Sequence, residues 1–356
     1  MKINKRIPFV KKLALNLHLQ YKKNQTAAHQ LSYLFWECTL RCNLNCLHCG
    51  SDCTSKDTEP DMPAADFFRA IDSIIQHIDP NKIMVAITGG EPLMRQDLEY
   101  CGMELTNRGF PWGMVTNGFM LDEQRLNSLL YSGLRSITVS LDGLSQSHNW
   151  LRAKDGAFDR ALNAIKLINS VPDLTSDVAT CVHHQNINEL EELYNVLIAA
   201  EVKYWRLFTI FPRGRAKENG LLMPDKELLE QLFEFIKSKK SNQKIVINYG
   251  CEGFLGYYEA DARDYLFFCK AGINIGSILN DGSISSCPSL RADFIQGNIY
   301  KDDFIDVWNN RYQKMRDRSW TKTGICTDCK AYKWCCGNGL HLRTEGDENP
   351  MICHWI

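Results

Sequence analysis

The chain has 356 residues, long enough for one large domain and a smaller one. Apolar residues make up 44% and charged residues 23%, with a formal net charge of −1, which excludes a disordered chain and gives no electrostatic footprint for nucleic acid. Fifteen cysteines, an odd number grouped at short spacings in a chain without a secretion signal, point to metal binding in a reducing cytoplasmic setting rather than to disulfides. No apolar run approaches the roughly 20 residues of a membrane span.

Residues 1–31 form a basic arm. Lys2, Lys5, Arg6, Lys11, Lys12, Lys22 and Lys23 occur there, with no acidic residue up to position 30. Lys11 and Lys12 interrupt its apolar stretch, so a signal-peptide core is missing. Val10, Leu13 and Leu17 recur at helical spacing, which allows either a solvated arm packed on the core or a helix touching an anionic membrane surface.

From residue 32 to about 245 strand and helix patterns alternate. Strands are expected at 34–39, 83–88, 112–116, 136–141, 178–182 and 204–208. Helices are expected near 64–78, 96–108, 122–132, 157–169, 188–200 and 225–239. Asp122 before Glu123, Asn186 ahead of Glu189 and Pro224-Asp225 are start signals. Six βα units in series make an α/β chain with a parallel sheet, either an open doubly wound sheet or a partial barrel.

Cys42, Cys46 and Cys49 follow the first strand, spaced x3 then x2. Three thiolates from one short loop can hold three irons of a cubane cluster and leave the fourth open, as in a metal centre that does chemistry. One apolar helix face or a zinc knot would use the same residues, but three thiols within eight residues fit neither as well. Thr88-Gly89-Gly90-Glu91-Pro92 follows the second strand, where paired glycines let backbone approach a ligand closely. After residue 245 the alternation stops and cysteines return. Cys269 is followed by Gly282 and Cys287, then by Cys326-x2-Cys329-x5-Cys335, Cys336 and Cys353. Asn280-Asp281-Gly282 between Ile278 and Ile284 reads as a hairpin turn.

Cys42-x3-Cys46-x2-Cys49, set within Thr39-Leu40-Arg41-Cys42-Asn43, resembles the radical S-adenosylmethionine (SAM) superfamily. That resemblance implies a partial (β/α)6 TIM-type barrel over residues 32–245. It further implies a [4Fe–4S] cluster on Cys42, Cys46 and Cys49, and SAM bound at its open iron. In the family the GGE motif binds the methionine amino group of SAM, which implicates Gly89, Gly90 and Glu91. Ser140-Leu141-Asp142-Gly143 matches the family's SLDG, and a serine and an arginine twelve positions on contact SAM in related members, here Ser140 and Arg152. Thr116-Asn117-Gly118 and Pro212-Arg213-Gly214-Arg215 match further family turns, and His48 is expected to pack beside SAM. Cys38, Cys53, Cys101 and Cys181 lack metal-type spacing and read as buried thiols, while His183-His184 reads as an exposed strand end.

The C-terminal cysteines resemble a SPASM domain over 246–356, the auxiliary-cluster module of radical SAM enzymes that act on peptides. Cys326, Cys329, Cys335 and Cys353 are a complete set for one auxiliary cluster, and zinc would accept the same thiols. A second auxiliary cluster would use Cys269 and Cys287, but the family's next cysteine is replaced by Gly339, leaving Cys336 or Cys251 as substitutes. The aspartate that anaerobic sulfatase-maturating enzymes carry after the Gx4C cysteine is Pro288 here, so no catalytic base is identified. Together these resemblances imply an oxidoreductase that cleaves SAM reductively to a 5′-deoxyadenosyl radical and takes hydrogen from a peptide or protein, oxidising or cross-linking it. The electron donor would be a flavodoxin or ferredoxin. Phe35-Trp36-Glu37-Cys38-Thr39-Leu40-Arg41 resembles a subfamily encoded beside a small lipoprotein, a candidate partner. The rival readings are a radical SAM enzyme of the haem-biosynthesis type acting on tetrapyrroles, and a non-catalytic iron–sulfur or zinc scaffold.

Overall fold

Apolar β-branched and aromatic runs alternate with amphipathic helices, and each expected pair forms in the computed structural model, which describes residues 6–56, 59–240, 244–291 and 293–355. Residues 1–5 of the basic arm, with Lys2 and Lys5, lie outside the described residues, as do 57–58, 241–243, 292 and 356. The strands are β1 (Tyr33–Glu37), β2 (Met84–Thr88), β3 (Trp112–Thr116), β4 (Leu134–Ser140), β5 (Thr175–Val182) and β6 (Tyr204–Thr209). Each pairs in parallel with the next. Leu34, Trp36, Val85, Ile87, Trp112, Val139 and Val182 are fully buried, as parallel strands covered on both faces require.

The longer helices are α1 (Phe9–Ala28), α2 (Ala64–Ile75), α3 (Leu98–Asn107), α4 (Glu123–Tyr131), α5 (Ser145–Arg152), α6 (Ala157–Asn169), α7 (Leu190–Ala199), α8 (Lys226–Lys240) and α9 (Phe304–Asn310). The expected start signal at Asp122 is a true cap, its Oδ1 accepting from Arg125 N at 2.8 Å. Trp36 of β1 stacks on Phe67 of α2 with ring centroids 4.0 Å apart, which fixes that helix over the sheet.

Four more strands continue the same sheet. β7 (Val246–Tyr249) pairs in parallel with β6, and β8 (Ile275–Ile278) pairs in parallel with β1. β9 (Ser283–Ser285) turns back antiparallel on β8 through Asn280-Asp281-Gly282, where Gly282 has φ 82°, and β10 (Gly297–Asn298) closes the row. The order β10-β9-β8-β1-β2-β3-β4-β5-β6-β7 leaves the sheet open at both ends, a partial barrel rather than a closed one.

α1 packs against the C-terminal cysteine region. Lys11 Nζ pairs with Asp261 at 2.6 Å, the Trp334 indole donates to Asn16 Oδ1 at 2.9 Å, and buried Lys22 donates to the Trp334 carbonyl. Leu15 faces inward, whereas Phe9, Val10, Leu13 and Leu17 are exposed on the outer side. No described helix is long and apolar enough to cross a membrane.

Candidate functional site

The loop after β1 crosses the C-terminal mouth of the sheet, where parallel barrels carry their chemistry. Cys42, Cys46 and Cys49 converge there on a cavity of about 160 Å³, together with Gly89, Gly90, Ser140 and Arg152. With Thr116 and Asn117 at the end of β3, residues from four different strand ends are thus brought to one point.

The paired glycines have a backbone reason. Gly90 N donates to Thr39 O at 2.8 Å and Glu91 N to Arg41 O at 2.9 Å, so the turn after β2 lies flat on the chain entering Cys42. A Cβ on Gly90 would stand 2.3 Å from Arg41 O, and Gly89 has φ 145°.

Glu91 does not line the cavity. It is 1% exposed and turns back into the protein, where Oε1 accepts from Thr116 Oγ1 at 2.7 Å and Leu93 N at 3.2 Å, and Oε2 accepts from Asn117 N at 2.8 Å. It ties the β2 turn to the β3 turn. Asn117 in turn donates from Nδ2 to Asn43 Oδ1 at 2.8 Å, inside the cysteine loop.

Arg152, at the end of α5, is held by Asp142 through two contacts of 2.6 Å to one carboxylate oxygen, and its Nη1 stands 3.7 Å from Cys46 Sγ. Burial alone would raise the Asp142 carboxyl, but the Arg152 guanidinium, with His48 and His148, outweighs it and holds the group at about 2. Burial pushes the Cys42 thiol up to about 12 and raises Cys46, against which Arg152 acts. Arg215 clamps the loop from the other side, donating to Cys46 O at 2.9 Å and Cys53 O at 3.0 Å.

Cys53 is the member of this site that spacing did not single out. It lines the same cavity and donates to Ser51 O at 3.8 Å, and its thiol interacts with that of Cys49, lowering Cys49 and raising its own. Its x3 interval after Cys49 was the available signal. His48 also lines the cavity, and its burial drives the imidazole down to about 3. His183 differs from the expected exposed strand end: it is fully buried beside Trp150, while His184 reaches outward to Asp225.

The C-terminal cysteines fall into two groups. Cys326 accepts from Arg343 Nη2 at 3.2 Å and has Cys329 beside it. Burial raises the Cys335 thiol, reinforced by Cys353, Cys336 and Cys326. Cys326, Cys329, Cys335, Cys336 and Cys353 are thus electrostatic neighbours. Cys269 and Cys287 share a different cavity, of about 350 Å³, with Cys251. Cys336 does not line it, but opens with Cys335 onto a neighbouring one that Cys269 also borders. A larger cavity of about 1160 Å³ lies between the barrel mouth and the C-terminal region, reaching Cys49 and Gly89.

Comparison with known proteins agrees with this architecture. The family model of the radical SAM superfamily matches residues 36–197, and that of the SPASM iron–sulfur cluster-binding domain matches 269–330. The chain is 26% identical over 326 residues to the AdoMet-dependent heme synthase of Methanosarcina barkeri, covering 85% of this chain and 89% of the relative. It is 26% identical over 308 residues to the mycofactocin maturase MftC of Mycolicibacterium smegmatis, covering 85% and 76%. The structure of native anSMEcpe with bound AdoMet and Cp18Cys peptide superposes with a TM-score of 0.70 at 19% identity, over 90% of this chain and 92% of that one. An open parallel barrel whose mouth gathers three thiols and a glycine turn, followed by a second cysteine field, together with these matches, makes the chain a member of the radical SAM superfamily of enzymes, with a C-terminal SPASM iron–sulfur cluster-binding domain.

Proposed function

We propose that this enzyme modifies a peptide or protein, oxidising or cross-linking it by hydrogen abstraction. The donor set at the barrel mouth fits a cubane cluster with one open iron: three thiols from one loop face a common cavity, flanked by Arg152 and Arg215 as counter-charges. Cys42, Cys46 and Cys49 would hold that cluster, and Cys326, Cys329, Cys335 and Cys353 an auxiliary one. When bound, the first cluster supplies the electron that cleaves SAM reductively. The chain's own groups bind and orient. Gly89 and Gly90 offer backbone to the methionine end of SAM, with Ser140 and Arg152 facing it across the cavity, while Glu91 acts from behind by holding the glycine turn in place.

The observation that carries the substrate class is the cavity of about 1160 Å³ beside Cys49 and Gly89. Its walls hold Asp281, Asp293 and Asp347 against Arg213, Lys217 and Arg291. Mixed charges along an open wall suit an extended polar chain with its own amides and side chains, whereas a flat macrocycle needs broad apolar faces. The likeness to the AdoMet-dependent heme synthase keeps a tetrapyrrole substrate as the second reading. Anaerobic reconstitution followed by SAM and dithionite should yield 5′-deoxyadenosine, lost in Cys46→Ala. Co-expression with a small lipoprotein of the kind encoded beside the resembled subfamily should shift that polypeptide's mass. A mass change on an iron porphyrin instead, with none on the polypeptide, would establish the second reading.

We also propose that the outer face of α1 meets an anionic lipid surface. Exposed Phe9, Val10, Leu13 and Leu17 share a segment that carries lysines and no acidic residue, the charge complement of such a surface.

A further inference from the structure

The cavity shared by Cys251, Cys269 and Cys287 has three thiols delivered from separate places, the loops after β7, before β8 and after β9. Cys251 counts as exposed by surface area, yet its bared surface belongs to the wall of this cavity. A cubane cluster takes four ligands. At position 339, where a fourth cysteine would complete the set, the residue is Gly339.

The space a side chain at 339 would need is already filled. A Cβ on Gly339 would lie 2.8 Å from Cε1 and 3.0 Å from Nδ1 of His341, and 3.0 Å from the Glu252 carbonyl oxygen. The His341 ring therefore stands where that side chain would project, and it lines the cavity itself. His341 is 6% exposed, and its Nε2 is buried without a hydrogen-bond partner among the described residues. Buried polar atoms are almost always satisfied, so an imidazole nitrogen left bare in a residue that shares a cavity wall with three thiols is open to a ligand. Imidazole replaces thiolate on iron in some iron–sulfur centres.

We propose that Cys251, Cys269, Cys287 and His341 form a second auxiliary iron–sulfur site, with the His341 imidazole in place of the fourth cysteine. The inference rests on the radical SAM and SPASM reading above. His18 of α1 also lines the cavity with a buried Nε2 that has no partner among the described residues, but its ring lies against Tyr21 at 5.3 Å and Phe268 at 6.4 Å, and the ring that occupies the place of a side chain at 339 is that of His341. The N-terminal helix is thus the lid of the site and not its ligand.

The test uses the full chain carrying Cys42→Ala, Cys46→Ala and Cys49→Ala, reconstituted anaerobically so that only auxiliary clusters remain. It should bind about eight irons, as two [4Fe–4S] clusters require. Electron spin-echo envelope modulation of the reduced protein should show nitrogen coupling from one imidazole. Adding His341→Ala should remove that coupling and halve the iron, while His341→Cys should restore the iron without the coupling. His18→Ala should leave both unchanged. The proposal is overturned by about four irons in the parent, as one cluster gives, or by absence of nitrogen coupling in it. It is equally overturned if the coupling survives His341→Ala or disappears in His18→Ala. A wild-type chain that binds auxiliary iron but forms no deoxyadenosine would overturn the proposed function and leave this site standing.

Discussion

Arg152 Nη1 stands 3.7 Å from the Cys46 sulfur although 106 residues separate them, and Asp142 holds the guanidinium there. The pair links the cysteine loop to the turn after β4, so a cation is fixed beside the thiol it would serve.

Arg152→Ala leaves a fully buried carboxylate at Asp142 without its partner, and breaking such a pair costs about 3–5 kcal/mol. Chemical denaturation of the iron-free chain should show that loss. Arg152→Lys keeps the charge but cannot reproduce the two contacts to Asp142, so deoxyadenosine formation should fall at least about tenfold while stability drops less. Equal activity in the lysine variant would show that charge alone suffices.

Gly90→Ala drives a methyl group into the Arg41 carbonyl at 2.3 Å, and the strain of roughly 1–3 kcal/mol falls on the chain entering Cys42. Iron bound by the barrel cluster should decrease while the outer auxiliary cluster is retained. Glu91→Gln places an amide donor against donors from Thr116, Asn117 and Leu93, with an expected loss of about 1–3 kcal/mol. Iron counts in a variant lacking Cys326, Cys329, Cys335 and Cys353 together with Cys251, Cys269 and Cys287 would read both effects on the barrel site directly.

Acid should unfold the iron-free protein well above the carboxylate range. Burial lowers His148 and His183 to about 4 and His354 to about 3, and His148 Nδ1 accepts from Asp142 N at 2.9 Å, which only the neutral ring can do. Between pH 6.5 and about 4 the unfolded chain binds protons that the folded chain does not, so stability is full above 6.5 and is lost as pH falls. Each such histidine contributes about 1 kcal/mol per pH unit in that window. Denaturation midpoints at pH 7.5 and 5.5 should differ accordingly, and by less in His148→Gln. A flat profile would show that these rings are protonated in the fold.

On anionic vesicles at low salt, the chain should sediment with the lipid and be released as ionic strength rises, because basic residues are screened over about 10 Å at 0.1 M. Leu13→Asp with Leu17→Asp should abolish the association. Binding that survives this pair would locate the contact elsewhere.

The barrel was legible because its signals are local. Runs such as Met84–Thr88 are apolar on both faces, and caps such as Asp122 announce the helices that follow. What could not be read depends on contacts between distant segments. α5 carries Arg152 to the site, but Ser145–Arg152 is short and polar and gives no helical stripe. Glu91 belongs to the expected motif, yet no spacing tells whether a carboxylate faces a cavity or turns back to Thr116 and Asn117. Cys251 and Cys336 were both open as partners of Cys269 and Cys287 in the sequence, and only folding brings Cys251 to the cavity those two share.

β1 has two parallel neighbours, β2 and β8, and the second is encoded close to the far end of the chain, with Tyr33 opposite Ile275. While the ribosome is still working, the edge of β1 therefore stays bare. Tyr33, Leu34, Phe35 and Trp36 then present an aromatic, uncharged strand to any passing polypeptide, the kind of edge that seeds aggregation. Chains cut before residue 269 should accumulate in inclusion bodies, and their recovery as dispersed monomers would argue otherwise. The cysteine loop hangs from that same strand, so the strand that carries it gains its second neighbour only late in synthesis, once β8 has emerged.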